Sequence, residues 1–107
     1  MIKVFSEKEF EIKVTVISFF DNESNFYIAY IPAFDIIAQG ETRKEALSEI
    51  KEILKESVIY AIRKKTLEKW LKSLGWKKVK SKTFEIEKTK PIPANFPKYK
   101  TSSLQIA

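Results

Sequence analysis

Gln39-Gly40-Glu41-Thr42-Arg43-Lys44-Glu45-Ala46 marks the point where one periodicity gives way to another. Before Gly40, apolar residues follow strand spacing. After it they recur three and four residues apart, as on a helix. Thr42 and Glu45 stand at the spacing of a capping box. The Thr42 hydroxyl is placed to accept from the amide of the third helical residue, and the Glu45 carboxylate to reach back to the Thr42 amide. Ala46, Leu47, Ile50, Ile53, Leu54, Ser57, Val58 and Ala61 then trace one face, while Lys44, Glu45, Glu49, Lys51, Glu52, Lys55 and Glu56 trace the other. The spacing predicts a helix from about residue 43 to about residue 62, roughly 30 Å long. Gly40, Thr42 and Glu45 form a structural hinge between a sheet and this helix.

Upstream, Phe10-Glu11-Ile12-Lys13-Val14-Thr15-Val16 alternates strictly, as a strand with one buried face does. The alternation blurs at Ile17-Ser18-Phe19-Phe20, which predicts a bulge or cover on both sides. Asp21-Asn22-Glu23-Ser24-Asn25 is a polar break of hairpin length. Phe26–Ile31 is apolar on both parities, as in a central strand, and Pro32 ends it because proline has no amide for the ladder. Phe34–Gln39 reads as a third strand. The connections are too short for parallel crossovers, so the three strands are expected to form an antiparallel meander.

Downstream, Thr66 stands before the stripe Leu67, Trp70, Leu71, Leu74, and Gly75 follows it, which predicts a second, short helix with Thr66 as N-cap and Gly75 just past its end. Lys82–Lys88 alternates again and reads as a further strand with Phe84 and Ile86 inward. Pro91, Pro93 and Pro97 favour extended chain. Ser103–Ile106 reads as a short strand or a frayed end. The expected class is α+β: a three-stranded antiparallel meander, one long amphipathic helix, a second short helix and a C-terminal strand. Residues 1–77 form the domain and residues 78–107 a basic, proline-containing strand or tail.

The 107 residues suffice for one domain and one core. There is no cysteine and no histidine. Thiolate metal sites, cysteine nucleophiles, disulfides and imidazole acid–base chemistry are therefore excluded. No apolar run reaches the roughly 18 residues of a membrane span, and no signal-like segment opens the chain, so a cytoplasmic location is expected. The net charge of +6 is uneven. Residues 1–75 balance 12 basic against 12 acidic side chains, whereas residues 76–107 carry eight lysines and two glutamates.

Two segments resemble a known family. Ala29-Tyr30-Ile31-Pro32 followed by Gly40-Glu41-Thr42-Arg43-Lys44-Glu45-Ala46 resembles the HicB-family antitoxin domain, in which a strand ending Ala-Tyr-x-Pro leads through a short strand to Gly-[Asp/Glu/Lys]-Thr-x-x-Glu-Ala at a helix start. Thr66-Leu67 with Leu71 and Gly75-Trp76 is similar to a signature that follows the domain in one branch of the family. Together they span roughly residues 10–77. The resemblance implies a β-β-β-α, partial ribonuclease-H-like fold and a role in neutralising a small HicA-type ribonuclease toxin by covering its active face. The chain departs from the family's Pro-Asp-Leu-Pro-Gly-Cys turn, with Pro32-Ala33-Phe34-Asp35-Ile36-Ile37 in its place. Residues 78–107 are also too few and too proline-rich for the helical operator-binding domain that many members carry.

Asp21, Glu23, Asp35 and Glu41 are scattered over loops and a helix start, so nothing converges them on the paired ions a metal nuclease needs. A binding protein is expected rather than an enzyme, with no cofactor and no metal. Tyr27, Tyr30 and Phe34 in the strands, with Asp35, are the candidate partner-binding residues. Their rings have three readings: core packing, a protein-partner surface, or stacking on bases. Trp70 and Trp76 suit packing of the second helix, with Trp76, next to Lys77-Lys78, the better placed as an exposed anchor. The lysine-rich segment has its own alternatives: solvation, phosphate contacts to DNA or RNA, or a strand at Phe84–Ile86 that pairs with a partner or a second copy. Open meander edges make a homodimer the expected assembly.

Overall fold

A computed structural model describes residues 1–4, 9–80, 82–86 and 97–106. The chain order is β1 (Ile2–Val4), β2 (Phe10–Asp21), β3 (Phe26–Ile31), β4 (Ile36–Gly40), α1 (Arg43–Arg63), α2 (Leu67–Ser73), β5 (Trp76–Lys80), β6 (Thr83–Ile86) and β7 (Lys100–Ile106). The class is α+β with an antiparallel sheet and two helices, one of them long. Among the described residues the sheet has seven strands rather than the three of the expected meander.

Its layout follows from register. Ile12 pairs with both Ile2 of β1 and Ile106 of β7, and Ile17 pairs with both Tyr30 of β3 and Thr101 of β7. A strand has two edges, so β7 holds one edge of β2 while β1 and β3 share the other, end to end. Two arms therefore leave the same side of β2. One is β3–β4; the other is β1–β6–β5. The stretch beyond residue 77 is built into the sheet in its described part, through β5, β6 and β7. Phe84–Ile86, for which pairing with a partner or a second copy was one of the alternatives, lies between β1 and β5 of its own chain.

The core lies between the sheet and α1. From the sheet come Ile2, Ile12, Val14, Val16, Ala29, Ile31, Ala38, Phe84 and Ile106, and from α1 come Ala46, Ile50, Leu54, Val58 and Ala61. Leu47 and Ile53 of the predicted face are half-buried at its rim. Beyond Val16, Ile17, Ser18 and Phe19 are all buried, so this end of β2 is covered on both faces without a bulge. The third strand starts later than expected. Asp35 has φ 54, and a residue in the left-handed region cannot extend a strand, so Pro32–Asp35 form a turn and β4 begins at Ile36. β1 is only three residues long, and Trp76–Lys80 does not alternate, so neither strand stood out in the sequence. Residues 87 and 88 of the expected fourth strand, and the prolines at 91 and 93, lie outside the described residues.

The Gly40 hinge has a steric cause. A Cβ there would lie 2.6 Å from the Ala46 nitrogen and 2.7 Å from the Glu45 Cβ, so only glycine lets the strand end touch the first helical turn. The Glu45 amide donates to Thr42 Oγ1 at 3.1 Å, as the capping box requires. The Glu45 carboxylate accepts from the Glu41 amide at 2.9 Å, one residue earlier than expected. At the other end of α1, the Thr66 amide donates to the Ala61 carbonyl and the Lys65 amide to the Ile62 carbonyl, with Lys65 at φ 58. That is a Schellman ending with lysine where glycine is usual. Thr66 makes no side-chain cap to α2; its hydroxyl turns back toward the Ala61 carbonyl at 3.5 Å. Gly75, at φ 94, closes α2 and turns the chain into β5.

Candidate functional site

Strand parity sorts the candidate residues onto two faces. Tyr27 shares the helix-side face with Ala29 and Ile31. Its ring lies edge-on to Phe20 with centroids 5.2 Å apart, and the Arg43 guanidinium sits 5.2 Å from its centroid. Arg43 Nε also donates to Ser18 Oγ at 3.0 Å, which gives this polar side chain, buried beside the core, a charged partner. Tyr27 thus braces the start of α1.

Tyr30 points to the opposite, outer face. Its hydroxyl donates to Asp35 Oδ1 at 2.9 Å, so the residue that turns the chain also anchors the ring. Burial, then the hydrogen bond to Asp35, then the Asp35 charge push the Tyr30 phenol above its ordinary pKa. Ile17 and Phe19 of β2, Ile28 and Tyr30 of β3, and Ile37 and Gln39 of β4 share this face by register. Ile37, 61% exposed, is its most exposed apolar side chain. The Ile36-Ile37 pair carried the signal: in a strand only one of two adjacent residues faces the core.

Phe34 and Trp76 are corrections. Each is 2% exposed. The Phe34 ring sits between Trp70 of α2, with centroids 5.4 Å apart, and Trp76 of β5, at 5.3 Å. Trp76 Nε1 donates to the Ala33 carbonyl at 3.0 Å. An indole so enclosed and hydrogen-bonded cannot be an exposed anchor. It pins the β1–β6–β5 arm to the β3–β4 turn, where the arms meet along β2. A cleft of about 320 Å³ lies at this meeting place, lined in part by Met1, Thr15, Pro32, Trp76 and Tyr99. A wider groove of about 940 Å³ runs between the end of α1 and α2, past Ile53, Ser57, Tyr60 and Trp70.

Of the five candidate residues, then, the structure brings only Tyr30 and Asp35 together at an accessible place. Among the described residues no three His, Cys, Asp or Glu side chains are grouped to hold a metal ion. Asp21 is used locally: Ser24 Oγ donates to its carboxylate at 2.8 Å and the Glu23 amide at 3.3 Å, which lowers its pKa. The lysines of β5 are exposed along a sheet edge, with Lys78 paired to Glu68 at 3.6 Å. No described helix is long and apolar enough to cross a membrane. Comparison with family models, with curated proteins and with solved structures found no match.

Proposed function

We propose that this chain is a binding module of the antitoxin type, and that it acts as HicB-like proteins do, neutralising a small HicA-type ribonuclease in the cytoplasm by covering its active face. The observation that carries the reading is the β2–β3–β4–α1 unit. It follows the strand–strand–strand–helix order that the resemblance implies, with the motif residues Gly40, Thr42 and Glu45 at the strand-to-helix joint. α1 covers one face of these strands; on the other face Ile17 and Phe19 are buried, and the accessible groups lie toward β4. Tyr30 and Asp35 offer an aromatic ring and an acceptor carboxylate, at the end of β3 and in the turn that follows it. Binding of this kind needs shape and complementary groups rather than a reactive side chain, which suits a chain with no histidine or cysteine.

Co-expression with a HicA-type ribonuclease tests the reading. The two proteins should co-purify, and the ribonuclease should lose activity in proportion to the amount of this chain added. A fully active ribonuclease that does not co-purify ends the proposal. Asp35→Asn, which keeps a residue tolerant of positive φ, should weaken binding by roughly tenfold, about 1.4 kcal/mol.

A further inference from the structure

Among the described residues the sheet has three edges with no further strand, and they are not alike. β5 carries Lys77, Lys78 and Lys80 and an irregular register between Lys78 and Lys80. Charge and irregularity are the devices that stop an edge from pairing with another chain. β7 borders solvent with Thr101, Ser103 and Gln105, and its apolar residues Leu104 and Ile106 turn to the core. β4, Ile-Ile-Ala-Gln-Gly, has no charge, no proline and no bulge.

Hydrogen-bond parity shows what β4 offers. Met1 and Lys13 exchange both backbone bonds, so the odd residues of β2 bond toward the β1 and β3 edge. Ile17↔Tyr30 and Phe19↔Ile28 are then bonded pairs, and the even residues of β3 are spent on β2. The odd residues of β3 bond to Ile36, Ala38 and Gly40. The amides and carbonyls of Ile37 and Gln39 therefore point off the sheet, beside the exposed Ile37 side chain.

We infer that this edge pairs antiparallel with β4 of a second copy, with Ile37 on the two-fold axis. In that register Ile37 meets the same residue of the other copy on the outer face. Ile36 covers Ala38 of the other copy on the helix side. A two-fold requires a strand that complements itself, and this pairing opposes no like charges. Only Ile36–Ala38 of each copy pair within β4 in this register, which buries less than the roughly 1,200 Å² of a standard interface, so the dimer forms as a concentration-dependent equilibrium.

Sedimentation velocity on the full chain over a concentration series tests the assignment. The wild type should shift from monomer to dimer, and Ile37→Lys should stay monomeric with an unchanged circular dichroism spectrum. The chain has no cysteine, so Ile37→Cys supplies a single thiol. Across the axis the two Cα atoms would lie about 5.5 Å apart, within disulfide reach. Mild oxidation should link Ile37→Cys into dimers and leave Val79→Cys, on the guarded β5 edge and 51% exposed, unlinked. A wild type that stays monomeric, a dimer that survives Ile37→Lys, or equal linking through Val79→Cys overturns the inference. So does loss of ribonuclease binding in Ile37→Lys from a monomeric wild type, which would give the edge to the partner's strand. Antitoxin activity is read separately, from the ribonuclease assay, and its failure would leave the sedimentation result standing.

Discussion

The two arms on the shared edge of β2 are held by different means. The β3–β4 arm is local: a hairpin, a turn and α1 follow one another in the chain, and α1 packs straight back on the strands that precede it. The β1–β6–β5 arm joins residues 2–4 to residues 76–86, and much of its anchorage is one side chain, Trp76, seated against Phe34 and bonded to Ala33. Local pairing costs little loop-closure entropy, whereas the distant arm needs a concentrated contact to offset it. The motif-bearing unit is held by contacts between chain neighbours, and the other arm is fastened to it through Trp76.

Breaking that fastening should have the largest effect. Trp76→Ala should cost about 3–5 kcal/mol in urea unfolding and expose the β1, β5 and β6 amides to exchange before those of β3 and β4. Trp76→Phe keeps a ring against Phe34 but strands the buried Ala33 carbonyl, at about 1–3 kcal/mol. In the local arm, Gly40→Ala drives a methyl against the backbone of the first helical turn. It should cost about 1–3 kcal/mol, read as a lower urea midpoint with exchange rising in β4 and the start of α1.

The two threonine caps sharpen the contrast at smaller scale. Thr42→Ala removes a formed cap and should cost about 1 kcal/mol, whereas Thr66→Ala, which removes none, should cost under about 0.5 kcal/mol by the same titration. At the junction between the helices, Lys65→Gly relieves a left-handed lysine and should raise stability by about 1 kcal/mol.

The smallest effect is a titration. The Tyr30 phenol is raised above its ordinary pKa, so the neutral form is favoured in the folded state. Its contribution is full below pH 10 and is lost as pH rises through the higher folded value. Absorbance at alkaline pH should show Tyr30 ionising above the ordinary value of 10. Asp35→Asn should move the midpoint only part of the way back, because burial, the larger cause, remains.

The local arm was legible in the sequence because its signals are local. Alternation over Phe10–Val16, the polar loop after Asp21 and the Thr42–Glu45 spacing are each read within a few residues, and α1 runs within a residue of its expected bounds. The distant arm was not, because its evidence is divided. β1 is too short to show a period, and β5 is lysine-rich because it lies on an edge. Trp76 looked exposed beside Lys77 and Lys78, and the enclosure that buries it comes from Ala33 and Phe34, 43 positions away in the case of Ala33. Phe34 failed as a surface candidate for the reciprocal reason. Tyr30 and Asp35 could be nominated as residue types, but their hydrogen bond depends on a turn conformation that no pattern announced. Ile37 went unnoticed because a run of apolar residues hides which of them faces out.

The pairing of β2 with β7 also bears on how the protein is made. Residues 12–18 leave the ribosome well before residues 100–106, the strand that closes their second edge. Until then the longest described strand has an open side during synthesis. Contacts so far apart in sequence slow folding, and an unclosed apolar strand invites aggregation in the meantime. β7 is fitted onto β2 after the rest of the described sheet, and a chain cut short before residue 100 should stick to chaperones.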